Sequence, residues 1–369
     1  MQNANKVEGL KTNFEVIGLT NEATDSTTAI DNNSLFLVRT ANDVIETAKN
    51  RPIPKMLFSE FWFEGELCIL FASSNVGKSI LAVQISDAIS SGRPMYGFTV
   101  AAQPQPVLYF DFELSDVQFA HRYSENRTNY FVWDNHFLRG EMNPDASIPK
   151  NASEYEAYFM QSLEAKIAHT GAKVIVVDNL TFLRNGTETA KDALPLMKVL
   201  KALKAKYNLS ILALAHTPKR NALQPITMND LQGSSMLINF CDSAFAIGAN
   251  ATDKSRRYLK QIKSRNTEIL YDAGNVCVCN IAKPSNFLQF EFVEFSTEGE
   301  QIQTASDTPL GKYTQNKQAL YNALPRNFTT SEGAAIAEQF GIKGKTFTNF
   351  LTDTVLFKKP SYGNYEKLL

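Results

Sequence analysis

The sequence predicts an α/β fold with a mostly parallel central sheet and an antiparallel edge, followed by a small C-terminal helical domain. From residue 67 to about residue 295, near-continuous apolar runs alternate with helix-length amphipathic runs. This alternation is typical of buried parallel strands that are covered by helices. The last three apolar runs form the predicted antiparallel extension. The strand candidates are Cys68–Phe71, Val107–Phe112, Val174–Asp178, Ile211–Ala215, Ser243–Ile247, Tyr258–Lys263, Gly274–Ile281 and Phe287–Phe295.

Composition limits the class of protein. The 369 residues are 44% hydrophobic and carry a net charge of −1, which supports a sizeable core and excludes a uniformly basic nucleic-acid binder, but not a local basic patch. The chain has no long apolar run, and residues 1–6 lack a signal-peptide core, so we expect a cytoplasmic protein without membrane association. Cys277 and Cys279 do not have the spacing of a zinc site, and we expect reduced, structural cysteines.

Changes in composition divide the chain into segments. Residues 1–50 are rich in Asn, Thr, Ser and Asp up to about residue 34 and predict an N-terminal arm with a short strand near 14–17. A short capped helix is expected over 40–48. Residues 51–296 carry the predicted sheet, and the polar stretch 297–309 is a predicted linker.

Residues 310–369 are predicted to form a winged-helix-like domain. Eight Lys and Arg residues stand against four Asp and Glu residues, a local net charge of +4. We therefore expect this segment to bind duplex DNA, with Lys343 and Lys345 as candidate contacts. The alternative is a helical cap that packs on the main domain or joins subunits. Helices are expected over 315–324, 333–340 and 345–354, and a two-stranded wing over 356–365.

A phosphate-binding loop is predicted at residues 72–79, Ala-Ser-Ser-Asn-Val-Gly-Lys-Ser, between an apolar strand and a helix. The backbone N–H groups of such a loop and the helix dipole point at one place. We expect Lys78 to reach the β- and γ-phosphates of ATP, and the Ser79 hydroxyl to ligate Mg²⁺. The alternative is a chance Gly-Lys-Ser before an amphipathic helix. The predicted nucleotide contacts are Ser73, Ser74, Asn75, Val76, Gly77, Lys78, Ser79 and Ile80.

The first position of this motif departs from the usual pattern. Ala72 stands where G-x-x-x-x-G-K-[ST] has its first glycine. That glycine helps the chain to leave the strand, and an alanine can do so if its φ stays negative. We therefore expect the loop to keep its function.

Carboxylates end two of the predicted strands. Asp178 ends an apolar run, where a carboxylate holds Mg²⁺ opposite the serine hydroxyl; the alternative is a plain helix cap. Glu113 follows another run, where the carboxyl ends of strands face the ligand crevice, and it is the candidate general base for the attacking water. Asp111 lies on the same side of that strand and could assist. The alternative is an ion pair between Glu113 and Arg122.

A polar pair and a long loop follow a third strand. His216 is a candidate γ-phosphate contact that reports hydrolysis to the loop 217–235, and the alternative is a buried, hydrogen-bonded histidine. The loop is long, polar and glycine-ended, and long loops in compact domains are usually functional or disordered. In it, Lys219 and Arg220 are candidate contacts to a nucleic-acid backbone.

Two cations, Lys263 and Arg265, lie at the end of a predicted edge strand. They cannot easily reach the phosphate loop of their own chain. In a ring, they could reach the γ-phosphate bound to a neighbouring subunit and act as an arginine finger. The alternative is a solvated basic edge.

The order of these motifs resembles that of the RecA-like ATPases, and it is most similar to the hexameric replicative helicases of the DnaB and plasmid RepA type. Residues 60–295 carry the likeness. The resemblance implies a RecA-like P-loop fold, ATP and Mg²⁺ as cofactors, and a homo-oligomeric ring, expected to be a hexamer. The corresponding segments are the phosphate loop 74–79, the glutamate segment with Glu113 and Arg122 near the nucleotide, the Mg²⁺ aspartate Asp178, the sensor His216, the segment Gly233–Ser235 and the finger pair Lys263 and Arg265.

We therefore expect an ATP hydrolase that works as a ring-forming DNA motor, a helicase-type ATPase in the replication or mobilisation of a plasmid, phage or other mobile element. Single-stranded DNA would pass through the central channel of the ring. Two alternatives remain open. One is an ATP-switched DNA-binding regulator or helicase loader without unwinding activity. The other is a metabolic P-loop kinase, for which the sequence gives no sign of an acceptor pocket or lid.

Overall fold

The computed structural model describes residues 36–149, 151–180, 190–218, 220–231, 234–303 and 310–368. The chain divides into two compact units, residues 1–53 and 54–369. In the first unit, helix α1 (Ala41–Lys49) begins after Thr40, whose hydroxyl accepts a hydrogen bond from the backbone N–H of Asp43. The predicted capped helix is therefore confirmed. The arm predicted before it, with its short strand, lies outside the described residues.

In the second unit, strands and helices alternate around one nine-stranded sheet. The strands up to residue 296 are β1 (Met56–Phe58), β2 (Trp62–Phe63), β3 (Leu67–Ala72), β4 (Val107–Asp111), β5 (Ser124–Glu125), β6 (Asn129–Tyr130), β7 (Phe137–Gly140), β8 (Val174–Asp178), β9 (Ser210–His216), β10 (Ser243–Ala249), β11 (Arg256–Lys263), β12 (Val276–Ala282) and β13 (Gln289–Ser296). The helices are α2 (Lys78–Ser91), α3 (Asp116–Arg122), α4 (Ala152–Thr170), α5 (Ala190–Tyr207), α6 (Ser234–Phe240) and α7 (Glu298–Ile302), with a 3₁₀ turn at Met228–Asp230.

The strand order of the large sheet is β13-β12-β11-β10-β3-β9-β8-β4-β7. The strands from β10 to β7 pair in parallel, and those from β10 to β13 pair antiparallel. This arrangement confirms the predicted fold class, a mostly parallel sheet with an antiparallel edge. Because β3, β4, β8 and β9 run in one direction, their carboxyl ends meet at one edge of the sheet. There, Ala72 lies opposite His216, and Asp111 lies opposite Asp178.

Helices cover both faces of the sheet. Side chains alternate along each strand, so that Leu70 of β3 joins a buried cluster with Leu81 of α2, whereas Ile69 joins a second cluster with Leu163 of α4 and Leu200 of α5. The core therefore lies in two layers, one on each side of a sheet whose central strands are fully buried. The four cysteines are free and buried in these layers or in the strands between them.

Residues 137–140 and 298–302 differ from the sequence prediction. Strand β7 extends the parallel sheet beyond β4, but its four residues are too few for a recognisable period. Residues 298–302, assigned to the linker, instead form α7. A capping box of Thr297 and Glu300 starts this helix, and the buried carboxylate of Glu298 accepts hydrogen bonds from Lys260 and Tyr258. The rest of the predicted linker, residues 304–309, lies outside the described residues.

The C-terminal segment has its own buried cluster, which includes Leu320, Phe328, Phe347 and Phe357. Its third helix ends at Phe350, earlier than expected, and Gly341 ends the second with a φ of 72°. The assignment to a winged helix remains a prediction. The elements are α8 (Gln315–Ala323), β14 (Asn327–Thr329), α9 (Thr330–Gln339), α10 (Gly344–Phe350), β15 (Phe357–Ser361) and β16 (Asn364–Lys367), and the three strands form one sheet in the order β14-β16-β15.

Among the helices in the described part of the chain, none has the length and apolar character needed to cross a bilayer.

We expect Glu298→Ala to lower the free energy of unfolding by about 3–5 kcal/mol, because it leaves the buried ammonium of Lys260 without its counter-ion. Chemical denaturation followed by circular dichroism measures this change. Glu294→Ala is the matched control, since Glu294 forms an exposed ion pair with Arg256 and its loss should have little effect. Equal effects of the two substitutions would show that the buried pair does not hold α7 in place.

Candidate active site

The phosphate loop joins β3 to α2. Ala72 is still part of β3, so the strand continues to the first motif position without the glycine. The loop then turns through Asn75 and Gly77, with φ angles of 62° and 113°. A Cβ atom on Gly77 would come within 3.0 Å of the side chains of Ile281 and Phe290. Only glycine therefore fits at the point where the loop becomes the helix.

The predicted phosphate contacts lie together at this turn. Ser73, Ser74, Asn75 and Val76 form the loop, and Lys78, Ser79 and Ile80 form the first turn of α2. The first backbone N–H groups of a helix have no partner inside the helix, which makes this turn suited to an anion. The anion-binding role of this turn stays a prediction, and the loop and helix start have the geometry that such a role requires.

The ammonium of Lys78 folds back over the loop. It donates hydrogen bonds to the carbonyl oxygens of Ala72 at 3.0 Å and Ser73 at 3.2 Å, and lies 3.2 Å from Nδ1 of His216. These three neighbours match the three N–H donors of a lysine. Burial lowers the pKa of Lys78, and the charge of Asp178 opposes this effect.

Asp178 is 1% exposed at the end of β8. Its Oδ2 accepts a 2.7 Å hydrogen bond from the hydroxyl of Tyr109, while its Oδ1 is buried and has no hydrogen-bond partner among the described residues. Burial raises the pKa of Asp178 to about 6, and the Ser79 hydroxyl is close enough to oppose this. A free buried carboxylate oxygen beside a hydroxyl fits a hard cation, and the pair Ser79 and Asp178 would therefore suit Mg²⁺.

Glu113 lies directly after β4, with its side chain 41% exposed. Its Oε1 accepts a hydrogen bond from the side-chain amide of Asn179 and lies 3.4 Å from Nε2 of His216. The hydrogen bond with His216 is the main cause that lowers the pKa of Glu113. Both contacts use Oε1, so that, within the described part of the chain, Oε2 is the oxygen available to a water molecule. A carboxylate that is ionised and positioned in this way can act as a general base.

His216 connects these groups because its two ring nitrogens face Lys78 and Glu113, respectively. The chain continues into Thr217, whose N–H donates to the carbonyl of Ala72 at 3.1 Å and whose hydroxyl is 2.9 Å from that of Ser73. The start of the long loop is therefore bonded to the phosphate loop. Histidine at this position is partly exposed, so it is not the buried histidine of the alternative interpretation.

The structure does not bring Arg122 to this network. The expected alternative, an ion pair between Arg122 and Glu113, is also not among the described contacts. Arg122 lies at the end of α3 beside Tyr123. Burial raises the pKa of Tyr123, and the charge of Arg122 opposes this shift. In the described part of the chain, Nη1 of Arg122 is buried without a hydrogen-bond partner. Sequence likeness placed Arg122 near the nucleotide, but its partly exposed side chain lies beside Tyr123 instead.

The candidate nucleic-acid residues of the long loop are only partly described. Lys219 lies outside the described residues, as does Gly233. Arg220 is bonded within its own loop, to the carboxylate of Asp230 at 2.9 Å and to the carbonyl of Gln224. In the C-terminal segment, Lys343 and Lys345 are exposed at the start of α10.

Lys263 and Arg265 lie far from the phosphate loop, near the amino ends of β3 and β10, because β11 runs antiparallel to β10. Lys263 donates to the carbonyls of Ile238 and Cys241 at the end of α6. Arg265 is 3.3 Å from the carboxylate of Asp242 and remains 48% exposed. As expected, the pair does not reach the phosphate loop of its own chain, and it is more firmly held than a solvated basic edge.

Three residues near the site were not predicted to act there. Asn179 holds Glu113, and only its position after a strand-ending aspartate could have suggested this role. Arg257 donates from Nε to the carbonyl of Val76 at 2.9 Å, and Arg139 binds the segment that carries Glu113. Both arginines come from strands that are distant in the sequence from the motifs, so no local pattern indicates them.

Comparison with known proteins bears on the same part of the chain. Residues 37–222 match the family described as an AAA domain. No protein with curated annotation matches the chain. Among solved structures, a KaiC-like protein from the hyperthermophilic archaeon Pyrococcus horikoshii is similar to it, with 14% identity and a TM-score of 0.42. The match covers 62% of this chain and 91% of the archaeal chain.

We expect Asp178→Asn to be more stable than the unsubstituted protein at pH 8, by up to about 3 kcal/mol. The pKa of Asp178 is raised from 3.8 to about 6, so folding favours the protonated carboxyl and loses stability as the pH rises from about 4 to above 6. The difference should therefore shrink toward pH 4. Chemical denaturation without nucleotide or divalent metal measures it.

Asp242→Asn is the control for this experiment, because its partners lower the pKa of Asp242 and the substitution should destabilise the protein at pH 8. If Asp178→Asn were less stable than the unsubstituted protein at pH 8, and if this difference did not change with pH, the ionised carboxylate of Asp178 would not destabilise the fold as we expect.

Proposed function

The chain belongs to the AAA domain family, and we propose that it is an ATP-dependent, ring-forming DNA motor of the helicase type, acting in the replication or mobilisation of a plasmid, phage or other mobile element. Family membership supports a P-loop ATPase with a nucleotide-dependent activity. The network of Lys78, His216 and Glu113 carries the proposal further, because it links the phosphate-binding turn, the candidate base and the start of a long loop.

In the proposed reaction, Lys78 exchanges one of its present acceptors for oxygens of the β- and γ-phosphates. Glu113, held through Oε1, uses Oε2 to orient the attacking water and to accept its proton. The lowered pKa of Glu113 keeps its carboxylate ionised at neutral pH. Mg²⁺ held by Ser79 and Asp178 would supply positive charge to the phosphates.

The proposed coupling to DNA rests on how the long loop is attached. Its first residue, Thr217, is bonded to the phosphate loop. Nine residues later, Ile226 is buried and fixed, because its N–H donates to Glu298 at 2.7 Å and its carbonyl accepts from Lys260 at 2.7 Å. Between these two points, residues 218 and 221–225 are exposed, and we propose that a change at His216 moves this exposed stretch. We assign single-stranded DNA contact in the channel of a ring to this exposed part.

An ATP-switched DNA-binding regulator or helicase loader is the second candidate. The charges of the C-terminal segment favour it. The carboxylate of Glu332 accepts a hydrogen bond from the N–H of Thr329, the N-cap of α9, and Asp353 binds Lys312 and the hydroxyl of Tyr313. The exposed Lys343 and Lys345 precede or begin α10, which carries no acidic residue. Two exposed lysines at the start of a helix without acidic residues suit the phosphates of duplex DNA.

We expect single-stranded DNA to stimulate ATP turnover by about tenfold or more, at a protein concentration where oligomers form, because the long loop contacts the active site. Lys78→Ala should reduce turnover to background, and full turnover in that variant would contradict the assignment of the phosphate site. Slow turnover that single-stranded DNA does not change would instead favour the regulator or loader. Deletion of residues 310–369 should then abolish duplex binding.

We expect Arg265→Ala to reduce turnover by about 10³-fold, as for other arginine fingers, and to be partly rescued when it is mixed with Lys78→Ala subunits. A mixed ring would contain sites with an intact phosphate loop from one subunit and an intact Arg265 from its neighbour. Arg256→Ala is the control, since Arg256 lies at the other end of β11. Absence of rescue in rings shown to be mixed would argue against an arginine finger in trans.

A further inference from the structure

We propose that Arg139 is a positioning residue for Glu113. Its guanidinium holds the turn at residues 112–115, which joins β4 to α3 and carries the carboxylate. This inference deepens the proposed function, because it rests on Glu113 as the base of the reaction. Arg139 itself lies on β7, next to β4 in the sheet.

The backbone of this turn is bonded at every N–H group. Phe112 N–H donates to the carbonyl of Asp178 at 2.9 Å, and Ser115 N–H donates to the side chain of Gln118. Between them, the N–H groups of Glu113 and Leu114 donate to the same oxygen, Oδ1 of Asp111, at 3.1 and 2.9 Å. Asp111 is thus occupied as an acceptor and does not assist as a second base.

Arg139 completes this arrangement from the other side. Its Nε donates to Oδ2 of Asp111 at 3.0 Å, its Nη1 to Asp116 at 2.6 Å, and its Nη2 to the carbonyl of Leu114. One planar group therefore joins the strand end, the turn and the start of α3. The side chain is only 15% exposed, and its guanidinium lies over the ring of Phe119, with its central carbon 5.2 Å from the ring centroid.

The charge of Arg139 is as important as its shape. Asp111 is 3% exposed, and its charge is close enough to that of Asp178 to raise the pKa of the latter. Without a counter-ion, a buried carboxylate at this position would move toward water, because an unpaired charge in the interior is costly. That movement would release the N–H groups of Glu113 and Leu114, and the general base would lose its fixed position.

Arg139→Lys is the primary test, because it keeps the charge but cannot bind Asp111, Asp116 and Leu114 together. We expect kcat to fall about 10- to 100-fold, the cost of a displacement near 1 Å. KM and the affinity for a fluorescent ATP analogue should stay within about twofold, since Arg139 makes no contact with the phosphate loop among the described residues. An unchanged kcat, or a loss of nucleotide affinity that accounts for the loss of turnover, would overturn the proposal.

A double-mutant cycle with Glu113→Gln separates positioning from general damage to the fold. If Arg139 acts through Glu113, Arg139→Lys should not slow single-turnover hydrolysis further in the Glu113→Gln background. Additive losses would overturn the positioning role but leave Glu113 as the base. Full turnover in Glu113→Gln alone would show that the proposed reaction itself is wrong.

Arg93→Lys is the matched control. Arg93 also binds a buried aspartate, Asp87, and lies over an aromatic ring, that of Phe131, but it follows the far end of α2. We expect its kcat to change less than twofold. Thermal unfolding of both lysine variants compares their stability, and an equal loss of kcat in the two would overturn the specific link between Arg139 and Glu113.

Discussion

Four parallel strands end on the same side of the sheet, β3 and β9 two residues beyond β4 and β8, and the candidate site depends on this register. The pairing of Ala72 with His216 sets the histidine beside the phosphate loop, and the pairing of Asp111 with Asp178 sets the two acidic strand ends side by side. A shift of one residue in either pair would turn the side chains to the other face of the sheet. The hydrogen bonds of the parallel sheet thus determine the distances between the polar groups of the site.

Burial then determines the charge state of these groups. Desolvation moves the pKa of Lys78 down and that of Asp178 up, toward the neutral form in both cases. Each group also lowers this cost for the other, because their opposite charges are close. Glu113 is more exposed, and its hydrogen bonds instead favour the carboxylate. Asp178 and Glu113 therefore differ in environment, and the difference would suit the proposed roles of cation ligand for Asp178 and general base for Glu113.

Other buried polar residues hold loops at both ends of the sheet. Glu298 and Lys260 fix the long loop at Ile226. Glu66 is 2% exposed and accepts a 2.7 Å hydrogen bond from the side chain of Asn266, which follows Arg265. Each of these carboxylates binds backbone or side-chain donors from segments far apart in the sequence. Hydrogen bonds at such buried positions are costly to break, because an unpaired polar group would remain in the interior.

The sequence by itself determined the fold class and the chemical groups of the site. Apolar runs indicated the strands, because a strand that is buried on both faces must be apolar on both faces. Their positions directly after such runs placed residues 72–79, Asp178, Glu113 and His216 at strand ends. Tertiary structure decided which groups meet. Asn179 binds Glu113 and Arg139 binds its turn, because neighbouring strands come from distant parts of the chain. Arg122 lies beside Tyr123 instead of Glu113, because side-chain directions depend on packing. A local sequence pattern shows whether a segment is a helix or a strand, but it does not show which segments lie next to it in the folded chain.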